Sequence, residues 1–366
     1  MWWEQLHRLG LAVVGVAPVD ADAALAVLLA RRQRQGIYPP FVSSDPWLRA
    51  DPRRFWPRAK TVISVAVTYP GRVEEKPSVG LYGLVARSMR GRDYHRLVKE
   101  KLAALAALLA SEIGTFAWQA WVDTAPPVER WLARRAGLGF FGKNCCLIHP
   151  DLGSWFWLGE LALDRELPPG QRPPAVPARD GECGSCQRCL EACPTGALCA
   201  PYELDPYRCL SYLTQARETI PRPYRSLLGL RLFGCDTCQE VCPYNHSPSK
   251  SASAPPSWLP LEALLLPDRK RRRLLAGTAL AWRGGAVLAR NAAVVLGNSG
   301  RPEAVALLRL ALAHPRPMVR AHAAWGLGRL GTAEAVKALK SALASEEETA
   351  VRQEIEAALA DPGKNS

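Results

Sequence analysis

The hydrophobic pattern separates a mixed N-terminal part of the chain from a C-terminal part that is helical throughout. Before residue 165 or so, strand-length apolar runs, Leu11–Ala17 and Thr61–Val67, alternate with helical stretches such as Leu97–Ser111, in which Leu and Ala recur at helical spacing. This alternation predicts an α/β layer structure. No apolar run reaches the roughly 18 to 20 residues of a membrane span, and Leu11–Ala17 lacks the charged lead-in and cleavage site of a signal peptide.

The C-terminal region repeats itself at a constant offset. Ala292–Gly300 aligns with Ala323–Gly331, 31 positions later, Glu303–Val305 aligns with Glu334–Val336, and a third, truncated copy begins at Val351. Two helices per repeat, joined by a Gly-containing turn, are typical of HEAT-type repeats. An ordinary helical bundle offers no reason for the constant offset. We therefore expect stacked helix pairs that present an extended docking surface.

Two connectors define the predicted domains. A Pro-rich stretch, Leu167–Pro177, cannot sustain a helix and favours extended backbone. A polar linker, Ser247–Ser257, precedes the repeats. The expected fold class is α+β and multidomain: an α/β domain over 1–165, a ferredoxin-like domain with two [4Fe–4S] clusters over 166–250, and HEAT-like α-helical repeats over 258–366.

Cysteine spacing carries the strongest chemical signal. One run has the form C-x2-C-x2-C-x3-C-P and ends at Pro194, which is the spacing of bacterial [4Fe–4S] ferredoxins, and a shorter run ends at Pro243. Two clusters need eight thiolates, the two runs supply seven, and Cys209 between them is the expected eighth. The candidate ligands are Cys183, Cys186, Cys189, Cys193, Cys209, Cys235, Cys238 and Cys242.

The ligands divide between two clusters by the exchange of the last cysteine in each run. Cys183, Cys186 and Cys189 are expected to share the first cluster with Cys242, and Cys193 to share the second with Cys209, Cys235 and Cys238. Zinc is the weaker alternative, because structural zinc sites use two separated pairs of ligands. The remaining cysteines, Cys145, Cys146 and Cys199, are interpreted as small buried hydrophobes, although a Cys-Cys pair also suits a nucleophile or redox thiol.

Charge and cysteine usage bear on partners and compartment. The formal charge is +13 and the pI is about 9.4, which suits either a polyanionic partner or merely a solvated surface. Five adjacent cations, Arg269–Arg273, open the repeat region, and beside a repeat module they favour phosphate contact over a solvated helix face. Cluster thiolates need a reducing compartment, so the cytoplasm is expected.

A second cofactor is expected beside the clusters, because clusters transfer one electron at a time. Its candidate region holds Trp121–Pro127, Gly137–Asn144 and Leu152–Trp157, where glycines allow close approach to a large ligand. Asp123 follows a short apolar stretch, where burial would raise its pKa toward that of a general acid. Taken alone, an Asp in this position suits a helix cap better.

Together these segments resemble epoxyqueuosine reductase, a cobalamin-dependent iron–sulfur enzyme that completes queuosine in tRNA. The cysteine runs occur in many electron carriers, whereas their combination with the Asp123 and Lys143-Asn144 segments is specific. The resemblance covers roughly residues 1 to 245, and the matching stretches are Gly91–His95, Val122–Thr124, Arg135–Gly139, Gly142–Asn144, Leu152–Ser154, Cys183–Pro194, Cys209–Thr214 and Phe233–Pro243.

The resemblance implies the roles of several residues. Base-off cobalamin would lie between the α/β and ferredoxin-like domains and be reduced through the clusters, with Asp123 as proton donor and a residue of the cofactor pocket. Arg217 and the basic segment Arg269, Lys270, Arg271, Arg272 and Arg273 would face the anticodon stem-loop. The other residues expected at the corrin are Arg49, Lys143, Asn144, Ser154, Leu158, Ser211 and Gln215.

The resulting hypothesis is a monomeric oxidoreductase that reduces epoxyqueuosine to queuosine at the wobble position of tRNA. Its other partner would be an electron donor such as a flavodoxin or ferredoxin system, and no membrane is involved. A corrinoid reductive dehalogenase is one alternative, although such proteins usually carry an export signal and have no need of a basic repeat region. A non-catalytic iron–sulfur electron carrier is the other, and it would never bind cobalamin.

Overall fold

The computed structural model describes residues 1–69, 73–174, 183–245, 255–265 and 269–363. The chain folds into two compact units, each assembled from separate stretches of sequence. The first unit comprises Met1–Arg72, Tyr94–Tyr207 and Thr237–Ala252, and the second comprises Val73–Asp93, Arg208–Asp236 and Ser253–Ser366. The three consecutive domains expected from the sequence stay a prediction. The polar linker predicted over 247–257 falls mostly outside the described residues.

The strands are short except for two in the first unit. They are β1 Val13–Ala17, β2 Thr61–Thr68, β3 Tyr82–Val85, β4 Trp118–Trp121, β5 Phe140–Phe141, β6 Leu147–Ile148, β7 Phe156–Leu163, β8 Leu198–Ala200, β9 Glu203–Leu204, β10 Arg231–Phe233 and β11 Trp258–Pro260. The predicted strands at Leu11–Ala17 and Thr61–Val67 are confirmed as β1 and β2.

The longest helix is α4, and most of the other long helices belong to the C-terminal repeats. The helices are α1 Ala23–Arg34, α2 Pro46–Ala50, α3 Pro52–Phe55, α4 Tyr94–Ile113, α5 Glu129–Arg135, α6 Arg188–Glu191, α7 Leu210–Leu213, α8 Arg222–Arg225, α9 Thr237–Glu240, α10 Glu262–Leu265, α11 Arg269–Leu275, α12 Gly285–Asn298, α13 Ala304–Ala311, α14 Pro317–Leu330, α15 Ala333–Ser345 and α16 Thr349–Ala360. Within the described part of the chain, no helix has the length and apolar character to cross a membrane.

A four-stranded sheet of order β1-β2-β7-β4 is the centre of the first unit. Leu161 and Leu163 of β7 pack with α4 on one face, and Ala162 packs with α5 on the other, as strand alternation requires. The expected layers are therefore present. All three strand pairings are antiparallel, however, so the parallel pairing typical of alternating α/β sequences is absent from this sheet. The Pro-rich connector also contains a short 3-10 turn, Pro169–Gln171.

The second unit combines a small sheet with the helical repeats. Strands β10, β3 and β11 form that sheet, and α12, α14 and α16 pack in succession over an apolar core. Gly297 of α12 lies where an added Cβ would stand 2.6 Å from the Gly326 Cα of α14. Small residues at this crossing let the two backbones approach.

Candidate functional site: four thiols, an aspartate loop and an apolar cavity

Four cysteines line one cavity of the first unit. This cavity has a volume of about 220 Å³, and its walls include Cys183, Cys186, Cys189 and Cys242 together with Ile148 and Tyr244. These are the four thiols that the sequence assigns to one cluster. Cys242 is buried, and the other three are half-buried. A set of four soft sulfur ligands around a small, largely apolar cavity fits a [4Fe–4S] cluster.

The cysteine loops are fastened by two residues of the hairpin turn between β5 and β6. Lys143 Nζ donates hydrogen bonds to the carbonyls of Gly184, at 2.7 Å, and Cys186, at 2.9 Å. Asn144 Nδ2 donates to the Cys238 carbonyl at 3.3 Å. Both side chains also border the four-cysteine cavity. The sequence assigned them to the corrin, whereas their contacts in this structure are with the loops that carry cluster ligands.

The other four candidate ligands are distributed over the two units. Cys193 and Cys238 belong to the first unit, and Cys209 and Cys235 belong to the second. Cys209 directly precedes α7, and Cys238 lies within α9. The grouping of these four thiols around a second cluster stays a prediction.

Asp123 lies in the turn after β4 with its side chain about half exposed, at 49%. Its Oδ2 accepts a hydrogen bond from the Tyr94 hydroxyl at 3.0 Å and lies 3.2 Å from His95 Nε2. Its backbone N–H donates to the Glu129 carboxylate, and its φ of 54° is left-handed, which is uncommon for a residue other than glycine. The helix-cap interpretation is wrong, because α5 begins at Glu129 with Val128 as its N-cap.

The pKa of Asp123 is lowered below its ordinary value. Burial raises the pKa, but the hydrogen bonds from His95 and Tyr94, with the charges of His95 and Arg130, outweigh that effect. The sequence-based expectation was a pKa raised by burial, and the structure reverses it. Asp123 is therefore mainly ionised near neutral pH, with two potential proton-bearing groups at its carboxylate.

Aromatic rings support the donors that contact Asp123. Tyr94 stacks on Trp157 with ring centroids 5.6 Å apart and an interplanar angle of 5°, and it also stacks on His95 at 4.0 Å. Tyr69 also packs against Trp157, with ring centroids 4.8 Å apart. This packing fixes the position of the phenol beside the carboxylate.

The first unit also contains a larger cavity of about 610 Å³, and Arg49 is one of the residues that line it. Its walls are mainly apolar, with Leu25, Trp131 and Phe141 among them, and four arginines line it as well. Arg49 is held there by hydrogen bonds to the Tyr38 hydroxyl, at 2.9 Å, and the Pro126 carbonyl, at 3.3 Å. An apolar cavity with several guanidinium groups suits a large ligand that carries amides or a phosphate. The lining arginines are Arg32, Arg49, Arg130 and Arg134.

Comparison with known proteins identifies the family. Residues 49–124 match the model described as epoxyqueuosine reductase QueG, residues 182–245 the 4Fe-4S double cluster binding domain, and residues 285–360 the HEAT repeats. Epoxyqueuosine reductase of Bacillus subtilis is 33% identical, with 96% of this chain and 93% of that protein covered. The chain belongs to the epoxyqueuosine reductase family. The Listeria monocytogenes member is 34% identical, with 96% and 94% covered.

Solved structures of epoxyqueuosine reductase share the fold. One, a complex with an epoxyqueuosine-modified tRNA-Tyr stem loop, superposes with a TM-score of 0.90 at 31% identity, covering 98% of this chain and 97% of the other. Another, from B. subtilis, has an aspartate-bearing catalytic loop swung out of the active site, again with a TM-score of 0.90 at 31% identity and the same coverage. The predicted fold class, the double-cluster domain, the HEAT repeats and the oxidoreductase activity on epoxyqueuosine are confirmed.

The remaining residues expected in an epoxyqueuosine reductase lie in both units. In the first, Ser154 is buried and its Oγ donates to Gln239 Oε1 at 2.8 Å, while Leu158 is half-buried at the sheet face that α5 covers. In the second, Gln215 Nε2 donates to the Ser211 carbonyl at 2.9 Å, and Arg217 is exposed. Their ligand contacts stay predictions.

The three other cysteines differ in their surroundings. Cys145 and Cys146 are half-buried, and burial raises the pKa of Cys145 to about 11, so its thiol stays protonated at neutral pH. The interpretation as buried hydrophobes is wrong for Cys199, whose residue is exposed. Glu129 and Glu160, which lie beneath the Asp123 loop, were not predicted from the sequence. The signal for Glu160 was a carboxylate inside a strand that is otherwise nearly apolar, Phe156–Leu163.

Proposed function

We propose that the chain reduces epoxyqueuosine at the wobble position of tRNA with base-off cobalamin as its reductant and two [4Fe–4S] clusters as its electron supply. Removal of the epoxide oxygen takes up two electrons and two protons and yields an alkene and water. The observation that carries the proposal is the presence, in one unit, of a four-cysteine cavity and an exposed carboxylate that contacts a phenol and an imidazole.

The cavity at Arg49 supports a cobalamin site. Its apolar walls suit the edge of a macrocycle, and its arginines suit the phosphate of the nucleotide portion. Asp123, Lys143, Asn144, Ser154 and Leu158 are the other proposed cobalamin contacts of the first unit. When bound, cobalamin supplies a low-potential cobalt centre capable of two-electron reduction. Visible absorbance during a titration with cobalamin tests this site, and Arg49→Ala should weaken binding.

Asp123 is the proposed proton donor at the epoxide oxygen. Its lowered pKa means that it must receive a proton before it can give one, and Tyr94 and His95 are the groups in hydrogen-bond range that can supply it. The second proton of the reaction then reaches the substrate through the same contacts of Asp123 with Tyr94 and His95. The mobile catalytic loop of the B. subtilis relative carries an aspartate, which supports the assignment of Asp123 to this role.

The basic helix α11 and Arg217 are the proposed tRNA contacts, supported by the relative solved with a modified tRNA stem loop. Four of the five cations, Arg269, Lys270, Arg272 and Arg273, are exposed. Arg271 is half-buried, with Nη1 3.5 Å from the Gly285 carbonyl, so it contributes less to binding. Replacing Lys270 with Ala should lower the slope of log affinity against log salt by about 0.9 for one phosphate contact, whereas Lys337→Ala on α15 should leave it unchanged.

The decisive experiment combines reconstituted protein, cobalamin, a low-potential reductant and epoxyqueuosine-containing tRNA, with nucleosides analysed by mass. We expect queuosine from the natural chain and none from Asp123→Asn, whose cluster and corrin spectra should be intact. Asp151→Asn, at an exposed position of the same unit, serves as the control. Undiminished turnover by Asp123→Asn would remove it from the mechanism, and failure of the natural chain would refute the proposed reaction.

Metal analysis tests the cluster assignment separately. Cys242→Ser removes a ligand from the four-cysteine cavity and should lower the bound iron to about half, since one of two clusters is lost. Cys199→Ser, outside both ligand sets, should keep the full amount of iron.

We further propose a monomer in the cytoplasm that is supplied with electrons by a flavodoxin or ferredoxin system. Sedimentation and turnover with each reduced carrier measure these two points.

A further inference from the structure

Two glutamates lie together under the Asp123 loop. Glu160 is in the middle of β7, with an exposed fraction of 0%, and its strand neighbours across the sheet are Ser64 of β2 and Trp121 of β4. Glu160 has the same orientation in the strand as Ala162, which packs on α5. Its carboxyl group therefore enters the layer between sheet and helix, where Glu129 begins α5.

Glu129 connects this layer to the aspartate loop. Its Oε1 accepts the backbone N–H of Asp123, at the residue whose φ of 54° is left-handed. A left-handed conformation costs about 1 to 2 kcal/mol for a residue with a Cβ, so the conformation needs compensating contacts. The hydrogen bond from the Asp123 N–H is such a contact, and it holds the loop from below while Tyr94 and His95 hold the side chain.

Two carboxyl groups are close together here, and the two buried oxygens of the Glu160 carboxyl accept no hydrogen bond from the described residues. Among the described residues, no lysine, arginine or histidine forms an ion pair with Glu129 or Glu160. The groups around them are the Ser64 hydroxyl from β2, Asp123 from the loop, and His95 from α4. Two ionised carboxylates in such a site repel one another strongly, whereas one proton between them allows a hydrogen bond.

We propose that Glu129 and Glu160 share one proton and that this pair positions the Asp123 loop for proton transfer, with Glu129 as the positioning residue. Glu160 holds the proton and donates to Glu129, which leaves Glu129 Oε1 to accept the Asp123 N–H. The inference rests on the proposed role of Asp123. It adds that the loop position depends on the protonation of residues that never touch the substrate.

The electrostatics agree in direction. Burial, followed by the charge of Asp123, raises the pKa of Glu129 to about 8, and burial with the charge of Glu129 raises that of Glu160 well above its ordinary value. A carboxyl pKa raised in the folded state contributes stability that is present at low pH and lost as the pH rises through the folded value. Loss of the shared proton at alkaline pH should therefore release the loop, as like charges accumulate at Glu129, Glu160 and Asp123.

The first test is spectroscopic and needs neither cofactor nor substrate. Infrared difference spectra between pH 7 and pH 10, with ¹³C-glutamate labelling, should show the carbonyl band of a protonated, buried glutamic acid. Glu160→Gln should abolish that band, and Glu112→Gln, at the end of α4 in the same unit, should keep it. A natural chain without the band, or a band that persists in Glu160→Gln, would overturn the shared proton.

The second test uses the pH profile of turnover. A glutamine at position 160 donates to Glu129 at any pH, so Glu160→Gln should move the alkaline limb of kcat upward by about one pH unit or more, whereas Glu112→Gln should not. Glu129→Met removes the acceptor of the Asp123 N–H and should lower kcat about tenfold, since one hydrogen bond of about 1.4 kcal/mol is lost. Glu129→Gln retains an acceptor and should recover most of that loss.

The outcomes separate the two proposals. An unchanged alkaline limb in Glu160→Gln, or a Glu129→Met variant that is as active as Glu129→Gln, would refute the positioning role. If the natural chain forms no queuosine, the proposed reaction fails, but the infrared experiment still decides whether the two glutamates share a proton.

Discussion

Arg290 should be the most costly single residue to replace in the second unit. It lies in α12 with 0% of its surface exposed, and its guanidinium donates to the carbonyls of Leu213, at 2.8 Å, Ala216, at 2.7 Å, and Glu218. It also donates to Asn291 Oδ1. One side chain therefore satisfies three carbonyls, at the end of α7 and in the segment that follows it, and fastens this part of the chain to the repeats.

The size of the effect follows from these acceptors. Methionine has a similar length and no donor, so Arg290→Met leaves three buried carbonyls without the guanidinium. At about 1 to 3 kcal/mol for each unsatisfied buried group, we expect a loss of at least about 3 kcal/mol. For a domain of roughly 150 to 250 residues, 1 kcal/mol corresponds to about 2 to 4 °C in Tm. The Tm of the transition that reports this unit should fall by at least about 6 to 12 °C.

Calorimetry of the natural chain and two variants measures this effect. The control is Arg301→Met, since Arg301 is partly exposed and pairs with the exposed Glu303 at 3.1 Å. An exposed ion pair contributes about 0.2 to 1 kcal/mol, so this variant should stay close to the natural chain. The reasoning fails if Arg290→Met and Arg301→Met have the same Tm. Arg290→Lys should be intermediate, because an ammonium has fewer donors and cannot reach all three carbonyls.

Three further predictions concern the same unit. Gly297→Ala should lower the unfolding free energy by about 1 to 3 kcal/mol in denaturant titrations, because its Cβ would stand 2.6 Å from the Gly326 Cα; an unchanged midpoint would contradict this packing. Burial, with nearby arginine charges, lowers the pKa of His322 well below 6.5, so stability should fall as the pH drops below about 6.5, and His322→Gln should flatten that dependence. Arg320 lowers the pKa of Glu346 through two hydrogen bonds of 2.7 Å, so this stabilisation is present above pH 4.5 or so and lost as the pH falls through the lower folded pKa; Glu346→Gln should remove that part of the acid transition.

The spacing of residues along the sequence predicted two features correctly, the first four-cysteine set and the helical repeats. The first four-cysteine set was predicted because a ferredoxin-type run places its thiols around one cluster by its own backbone geometry, and Cys242 follows from the exchange of last ligands. The repeats were predicted because each copy must bury the same positions against its neighbour. The 31-residue offset therefore reflects packing.

Contacts between distant segments were beyond the same reasoning. Nothing in the local pattern states that β7 pairs antiparallel with β2 and β4, which is what brings Glu160 beside Ser64 and Trp121. Arg290 could have been noticed as a charge inside an apolar helix, but its three carbonyl partners lie at the end of α7 and just after it, more than seventy residues earlier in the chain. A polar residue in an apolar element therefore indicates a buried hydrogen-bond network, but it does not identify the residues that take part.

The surroundings of Asp123 explain why an acid in this position needs a carboxyl pair beneath it. The hydrogen bonds from Tyr94 and His95 favour the carboxylate, so the resting loop carries a negative charge at its tip. A fully ionised Glu129 and Glu160 would add two more negative charges below it and drive the loop away from the sheet. A shared proton keeps the charge of the pair at one while leaving an acceptor for the Asp123 N–H. The raised pKa values of Glu129 and Glu160 and the lowered pKa of Asp123 are therefore two consequences of one arrangement. A substitution at Glu160 should for this reason change the behaviour of Asp123, although the two side chains have different roles.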